Sequence, residues 1–204
     1  MAVTDFNFDG RAREWDADPL KVERARAVAE AIRQAVHLGS DSRALEYGCG
    51  TGLLSFALHN DFASITLADT SRGMLDVLAE KIKTARVTNL FPVLLDLVKE
   101  PLPPDHFQII YSLMTLHHIL NTVDILGKFH SLLEPGGYLC ISDLDHEDGS
   151  FHGTGVMDVH HGFNRKTLQT QAEGVGFKGV HFSTVFEIPK ANRIYPLFLM
   201  IARK

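Results

Sequence analysis

The sequence predicts an α/β fold with a doubly wound, mostly parallel seven-stranded sheet whose last strand is antiparallel. Three observations support this fold class. An apolar stretch runs directly into three alternating glycines between Ala44 and Gly52. Apolar segments typical of buried strands then alternate with helical patterns as far as Asp143. Two final apolar segments are joined by turn residues from Pro189 to Asn192, which predicts a closing hairpin.

Composition and charge narrow the class of protein. A chain of 204 residues with 45% hydrophobic residues can bury one core, so we expect a single domain over residues 1–204. The formal net charge of −5 provides no basic surface, and nucleic acid is therefore not an expected partner. No signal-peptide pattern or membrane-length apolar run occurs, which predicts a cytoplasmic protein that is not membrane-bound. The two cysteines, Cys49 and Cys140, indicate reduced thiols.

The first 39 residues predict a lid followed by a helix. Phe6, Phe8 and Trp15 stand among polar residues, too sparse for a core element, and we interpret them as part of a lid. A helical pattern begins at Pro19, with Asp18 as its N-cap, and Gly39 is expected to end it. A helix that only packs on the sheet is the alternative.

The glycine loop is the strongest motif. Glycines 48, 50 and 52 follow Glu46 at the end of the first predicted strand, so a ligand can approach bare backbone amides. The Gly-x-Gly-x-x-Gly fingerprint of dinucleotide-binding folds is not matched. Instead, acid-x-Gly-x-Gly-x-Gly resembles the first motif of class I S-adenosylmethionine-dependent methyltransferases. A turn that merely connects a strand to a helix is the alternative.

Two further strands are also predicted to end in acids. Asp69 ends the strand from Ser64 and lies about 20 residues beyond the glycine loop, where βα folds place a carboxylate against ribose hydroxyls. Capping of the next helix is the alternative role. Asp96 ends the strand from Phe91. The resemblance implies that Asp96 and the amide of Leu97 contact adenine, whereas a solvated turn is the alternative.

The second half of the chain extends the resemblance. The predicted strand Phe107 to Leu113 leads into residues 114–119, which resemble the family's fourth motif, where methyl group and acceptor meet. The Asn/Asp-Pro-Pro-aromatic pattern of enzymes that methylate exocyclic amines is absent there. Residues 132–139 resemble the segment before the fifth strand, predicted over Tyr138 to Asp143, and Asn164 is expected to cap a further helix.

The resemblance implies S-adenosylmethionine as cofactor and a small organic methyl acceptor as partner, with oxygen as the candidate acceptor atom. The predicted cofactor-binding residues are Glu46, Gly48, Cys49, Gly50, Gly52, Asp69, Thr70, Met74, Asp96, Leu97 and Ser112. Two other hypotheses stay open at this point. One is a protein that binds S-adenosylmethionine or S-adenosylhomocysteine without catalysis, and the other is a nicotinamide-dependent reductase.

Methyl transfer is an in-line displacement, and a base becomes useful when the acceptor is a hydroxyl. His117 and His161 are the candidate catalytic residues, with His118 and His160 as neighbouring alternatives. The polar segment 144–163, predicted as a substrate-side loop, is rich in His and Asp, which also raises the question of a metal. It fails the EF-hand pattern, because Asp148 and Thr154 replace the required Gly and Glu, and we predict no metal.

Overall fold

The computed structural model describes residues 8–37, 39–152 and 159–204, so Phe6 and part of the predicted substrate-side loop lie outside the described residues. The strands are β1 (Arg43–Tyr47), β2 (Ser64–Asp69), β3 (Leu90–Leu94), β4 (Phe107–Leu113), β5 (Leu133–Leu144), β6 (Lys178–Lys190) and β7 (Arg193–Arg203). The helices are α1 (Phe8–Arg11), α2 (Pro19–Ala35), α3 (Leu53–Leu58), α4 (Arg72–Ala85), α5 (Thr122–Leu132) and α6 (Arg165–Gly174).

In the described part of the chain the seven strands form one sheet in the order β3-β2-β1-β4-β5-β7-β6. Strands β1 to β5 are parallel, and β7 is antiparallel to both of its neighbours. The predicted fold class is therefore confirmed. The chain order reverses beside β1, between β2 and β4, which is where open α/β sheets bind ligands at the carboxyl ends of their strands.

Helices cover both faces of the sheet. Ala44 and Ile109 belong to one buried cluster, whereas the next residue of each strand, Leu45 and Ile110, belongs to the other. This alternation follows from the period of two in a strand. The first cluster contains buried residues of α2, α3 and α4, and the second contains those of α5 and α6. The winding is thus double, as predicted.

The predicted caps Asp18 and Asn164 are confirmed, and two further helices are capped in the same way. Asp18, Ser71, Asn121 and Asn164 each cap a helix by accepting a hydrogen bond from a backbone amide of its first turn. The expected stop at Gly39 is wrong. Helix α2 ends at Ala35, because Val36 turns to an extended conformation and buries its side chain in the core before the chain reaches β1.

Two strand boundaries also differ from the prediction. Strand β3 ends at Leu94, and Asp96 lies in a turn in which its carbonyl accepts hydrogen bonds from the amides of Lys99 and Glu100. Strand β5 starts at Leu133, which pairs with Phe107, and a shift in register accommodates the residues before Tyr138. None of the helices in the described ranges has the length and apolar character needed to cross a bilayer.

Candidate active site

A cavity of about 540 Å³ lies at the carboxyl ends of β1, β2 and β4 and beneath the N-terminal segment 8–17. Nine of the predicted site residues line it. They are Glu46, Gly48, Cys49, Gly50, Asp69, Thr70, Met74, Asp96 and His117. Parallel strands bring their carboxyl ends to one edge of the sheet, so residues far apart in sequence converge there.

Glycine is needed at the first two positions of the loop for different physical reasons. Gly48 has φ +73°, and a Cβ atom added to it would lie 2.2 Å from the side chain of Thr115, which follows β4. Gly50 has φ +52°, and its added Cβ would meet only the Met74 sulfur at 4.0 Å. Gly48 thus allows close packing within the protein. Gly50 leaves room on the cavity side for a ligand.

Asp69 orders the glycine loop. Its Oδ2 accepts a hydrogen bond of 2.6 Å from the amide of Gly50, and its Oδ1 accepts one of 2.8 Å from the amide of Ser71. Burial raises the pKa of Asp69, although these backbone bonds oppose the shift. The predicted alternative of a helix cap is realised by Ser71 instead, whose Oγ accepts from the amide of Met74. Asp69 therefore remains available on the cavity wall.

Glu46 is a buried acid at the tip of β1, with 2% of its surface exposed. Its Oε2 accepts a hydrogen bond from the Ser55 hydroxyl, which is itself 2.7 Å from the Tyr111 Oη. Burial raises the pKa of Glu46 to about 8, and the nearby Asp69 adds to the shift. A cation bound beside Glu46 would reverse that shift by favouring the carboxylate.

The adenine side of the predicted site is only partly as expected. Asp96 lines the cavity and pairs with Lys99 at 2.9 Å, but the amide of Leu97 donates to the Tyr47 Oη at 3.1 Å. Leu97 is fully buried. The amide predicted to reach adenine is thus already occupied within the protein. Val98, which is 49% exposed and lines the cavity, is the apolar residue offered there instead.

Of three other predicted cofactor-binding residues, two pack within the protein and one lines the cavity. The Ser112 hydroxyl donates to the Tyr47 carbonyl at 2.8 Å and is buried within the sheet. Gly52 begins α3, and an added Cβ would lie 2.6 Å from Leu78. Neither residue lines the cavity. Cys49 does line it, but burial raises the pKa of its thiol well above the ordinary value, which disfavours a nucleophilic thiolate.

His117 forms a buried dyad with Asp143 at the other end of the cavity. Its Nδ1 lies 2.7 Å from the Asp143 Oδ1, and its backbone amide donates to Oδ2 at 3.2 Å. Both side chains are at most 1% exposed. Burial alone would raise the pKa of Asp143, but the hydrogen bonds and charge of His117 outweigh it and lower the pKa. When the His117 ring is neutral, an ionised Asp143 favours the tautomer with its proton on Nδ1, and Nε2 is then the acceptor nitrogen.

The other two histidines that line the cavity are uncharged. His118 and His152 have ring centroids 5.6 Å apart, and their centroids lie 4.1 and 5.0 Å from that of His117. Burial, followed by repulsion from His117, lowers the pKa of His118 to about 3 and that of His152 to about 4. Both imidazoles are therefore neutral near pH 7.

His161 is not brought into this cluster. The segments 144–147 and 161–163 pair through backbone hydrogen bonds, and the exposed His161 ring packs over Gly149. These bonds hold both ends of the predicted substrate-side loop near the end of β5. His160 has a supporting position, because its amide donates to the His117 carbonyl at 2.8 Å and its Nε2 lies 3.1 Å from the Ile119 carbonyl. Neither residue lines the cavity.

The N-terminal segment closes over the cavity through two aspartates. Asp9 accepts hydrogen bonds from the Ser71 hydroxyl at 2.5 Å and the Gly73 amide at 2.8 Å. Asp16 accepts from the Thr51 hydroxyl and from Lys81, each at 2.5 Å. These bonds connect the segment to the glycine loop and α4, and its Phe8 and Trp15 line the cavity.

Three important residues of the cavity region are missing from the sequence prediction. Asp143 lies one residue before the end of β5, and His117 follows the adjacent parallel strand β4, so the strand order would have predicted the pair. Arg24 stands four residues before the buried Val28, and a charge within an apolar stripe is a usable signal. His152 follows no strand or helical pattern, and nothing in the sequence places it beside His117.

Arg24 has no ion pair with any described acid, and its Nε has no hydrogen-bond partner among the described residues. The residue lines the cavity. Burial lowers the pKa of its guanidinium, although the charges of Asp143 and Asp18 oppose the shift. A partly buried guanidinium whose Nε has no partner among the described residues is costly, and an anion bound in the cavity would compensate it.

The family model described as a methyltransferase domain matches residues 20–182, which include both ends of this cavity. The chain belongs to that methyltransferase family. The match confirms the predicted methyltransferase family. The alternative of a nicotinamide-dependent reductase gains no support from the match.

Individual relatives agree with this membership. The chain is 31% identical over 153 residues to a ubiquinone biosynthesis O-methyltransferase of Xanthomonas campestris. The aligned region covers 68% of this chain and 59% of that protein. It is 30% identical over 133 residues to an uncharacterized methyltransferase of Schizosaccharomyces pombe. The aligned region covers 58% of this chain and 46% of that protein. The chain thus spans about half the length of these curated relatives.

A solved methyltransferase structure has the same fold. Phosphoethanolamine N-methyltransferase 2 of Haemonchus contortus, in complex with S-adenosylmethionine, superposes with a TM-score of 0.75. The match covers 98% of this chain and 60% of that one at 14% identity. At this identity the likeness supports the fold of the methyltransferase and leaves the acceptor to be inferred from the site.

Proposed function

We propose that this methyltransferase transfers the methyl group of S-adenosylmethionine to a hydroxyl oxygen of a small organic acceptor, with the His117–Asp143 dyad as general base. The observation that carries the proposal is the 2.7 Å contact between His117 Nδ1 and Asp143 Oδ1 in a buried position on the cavity wall. A hydroxyl loses a proton during methylation, and a histidine oriented by a carboxylate is suited to accept it. We assign the reaction to one domain formed by residues 1–204.

The residues of the cavity fit the cofactor. Gly50 provides the open backbone position, and Asp69 and Asp96 provide acceptors for ribose hydroxyls and the adenine amino group. Glu46 is suited to the cationic amino group, because ionisation of this buried acid requires a neighbouring positive charge. Arg24 is suited to the cofactor carboxylate, since its buried Nε has no partner among the described residues.

The bound cofactor supplies an electrophilic methyl group, whose bond to sulfur breaks as the new bond to oxygen forms, so that the electron pair stays on sulfur. The protein's part is to align the acceptor, exclude water and take up the proton. His117 Nε2 accepts the hydroxyl proton. Asp143 stabilises the resulting imidazolium through Nδ1, and the lid residues Phe8 and Trp15 cover the cavity.

The test is a comparison of His117→Gln and Asp143→Asn with the wild type. Removing a general base lowers turnover by about 100- to 10,000-fold. We expect losses of this scale for His117→Gln, a smaller loss for Asp143→Asn, and unchanged affinity for S-adenosylhomocysteine in calorimetry. The control is His161→Gln, which changes an exposed ring outside the cavity and should retain activity.

The screen that precedes this comparison uses methyl-labelled cofactor and a panel of alcohols, phenols, amines and thiols, and the labelled atom of the product is then located. A label on nitrogen or sulfur, or full turnover in the folded His117→Gln variant, would contradict the proposal. A variant set that binds S-adenosylhomocysteine normally while no acceptor of any class is methylated would favour the non-catalytic binding protein.

A further inference from the structure

Five rings form a continuous wall on the acceptor side of the cavity. The ring wall consists of Phe8, Trp15, His118, Phe151 and His152, all of which line the cavity. Phe8 lies 6.0 Å from Trp15 and 5.6 Å from His118, and His152 lies 5.6 Å from His118 and 5.0 Å from Phe151, all between ring centroids. These distances are within the range of favourable aromatic pairs.

The ring wall comes from three separate parts of the chain. Phe8 and Trp15 belong to the N-terminal segment, His118 follows β4, and Phe151 and His152 follow β5. His117 lies at its centre, with a centroid 4.1 Å from that of His118. The two histidines of the wall are neutral near pH 7, because burial lowers the pKa of each. They therefore add uncharged rings to the cavity wall next to the proposed base.

The charges around the ring wall distinguish between acceptors. Aromatic faces attract cations, but two of these faces already have one: Lys21 Nζ lies 3.7 Å from the Trp15 centroid, and Lys190 Nζ lies 4.6 Å from that of Phe151. Two acids lie near His152: Asp143 is bound to His117, and Glu147 accepts from the Phe151 amide, and neither of them lines the cavity. A cationic acceptor would meet like charges here, whereas a neutral or anionic ring would not.

We propose that the acceptor is a planar hydroxylated aromatic molecule, neutral or anionic, that packs against the ring wall with its hydroxyl directed to His117. The position of that hydroxyl rests on the proposed function. The aromatic character of the acceptor rests on the ring wall and its two lysines alone. Packing of a flat ring on several rings buries apolar area at little entropic cost, and it discriminates planar from saturated molecules of the same size.

The experiment measures binding, without turnover, to the enzyme saturated with S-adenosylhomocysteine. The probes are catechol, its saturated counterpart cyclohexanediol, the cation dopamine and the anion dihydroxybenzoate. Trp15 is the single tryptophan of the sequence and belongs to the ring wall, so its fluorescence reports occupancy. We expect catechol to bind about tenfold tighter than cyclohexanediol. Dihydroxybenzoate should bind tighter than dopamine.

Variants locate the binding on the ring wall. Phe151→Leu and His152→Leu should each weaken catechol binding by about three- to tenfold, the loss of one aromatic pair. The matched control is Phe91→Leu, because Phe91 is 52% exposed on β3 and outside the cavity. Circular dichroism and S-adenosylhomocysteine affinity identify any variant that fails to fold.

Equal binding of catechol and cyclohexanediol by the wild type would overturn the inference, as would tighter binding of dopamine than of dihydroxybenzoate. Unchanged catechol affinity in both folded leucine variants would also overturn it. These outcomes are independent of the base. A folded His117→Gln variant that keeps full turnover contradicts the proposed function, whereas the aromatic preference is measured by binding alone.

Discussion

At the residue scale, several side chains of the site have bonds within the protein that decide what they can offer to a ligand. Tyr47 shows this most directly, because its Oη accepts from the Leu97 amide and its carbonyl accepts from the Ser112 hydroxyl. The Leu97 amide and the Ser112 side chain were both predicted to bind the cofactor. Asp69 keeps its position on the cavity wall while it also accepts from the Gly50 and Ser71 amides.

Asp69→Ala is predicted to weaken binding of S-adenosylhomocysteine by about 1–3 kcal/mol, the scale of a lost hydrogen bond to a charged group together with a less ordered glycine loop. Calorimetry measures the loss. Asp69→Asn keeps one acceptor oxygen and should lose less. Asp76→Ala, at an exposed position of α4, is the control. Wild-type affinity in a folded Asp69→Ala protein would remove Asp69 from the cofactor site.

At the element scale, the N-terminal segment is attached to the rest of the molecule by a few polar contacts. Asp9 binds the start of α4, and Asp16 binds Thr51 of the glycine loop and Lys81 of α4. The segment has one buried residue, Ala12, within its short helical turns. A segment held by few buried contacts opens at low free-energy cost, which suits a lid that must admit cofactor and acceptor.

Asp16→Ala is predicted to favour the open lid, because it removes the bonds from Thr51 and Lys81. Trypsin should cleave at Arg11 and Arg13 faster than in the wild type, and affinity for S-adenosylhomocysteine should fall by about 1–3 kcal/mol. Glu14→Ala, which removes an exposed acid of the same segment, is the matched control. If both variants are cleaved at the wild-type rate, Asp16 does not hold the lid.

At the scale of the whole molecule, the site places a buried acid in the centre of the sheet. Glu46 is enclosed by Ser55 and Tyr111 between the two faces of the core, and burial raises its pKa from 4.5 to about 8. The native state therefore binds a proton that the unfolded chain releases between these values. The free energy of unfolding then contains a contribution that is complete below about pH 4.5 and lost as the pH rises through about 8.

Glu46→Gln is predicted to remove this contribution, because glutamine does not ionise. Compared with the wild type, the variant should become relatively more stable between pH 4.5 and about 8, by several kcal/mol at the upper end. Urea unfolding curves across that range measure the difference. Glu23→Gln, at an exposed position of α2, is the control and should parallel the wild type. If the free energy of unfolding of Glu46→Gln also parallels that of the wild type across this pH range, Glu46 ionises normally in the folded protein.

What the sequence by itself determined is local. The glycine loop, the caps at Asp18 and Asn164, and the alternating strands follow from short-range preferences, and the structure agrees with them. The order of the parallel strands and the double winding followed from the resemblance of the glycine loop and of residues 132–139 to one family. The prediction of His117 as a cavity residue needed only its place directly after β4.

Only the tertiary structure decided which side chains face one another. Asp143 lies 26 positions after His117, and the ring wall brings Phe8 and His152, which are 144 positions apart, to one cavity that Arg24 also lines. No periodicity spans such distances. It also decided that the Leu97 amide and the Ser112 hydroxyl bind Tyr47, and that His161 stays exposed. The physical reason is that chain-local preferences fix the conformation of each element, whereas contacts between elements depend on how the whole sheet is packed.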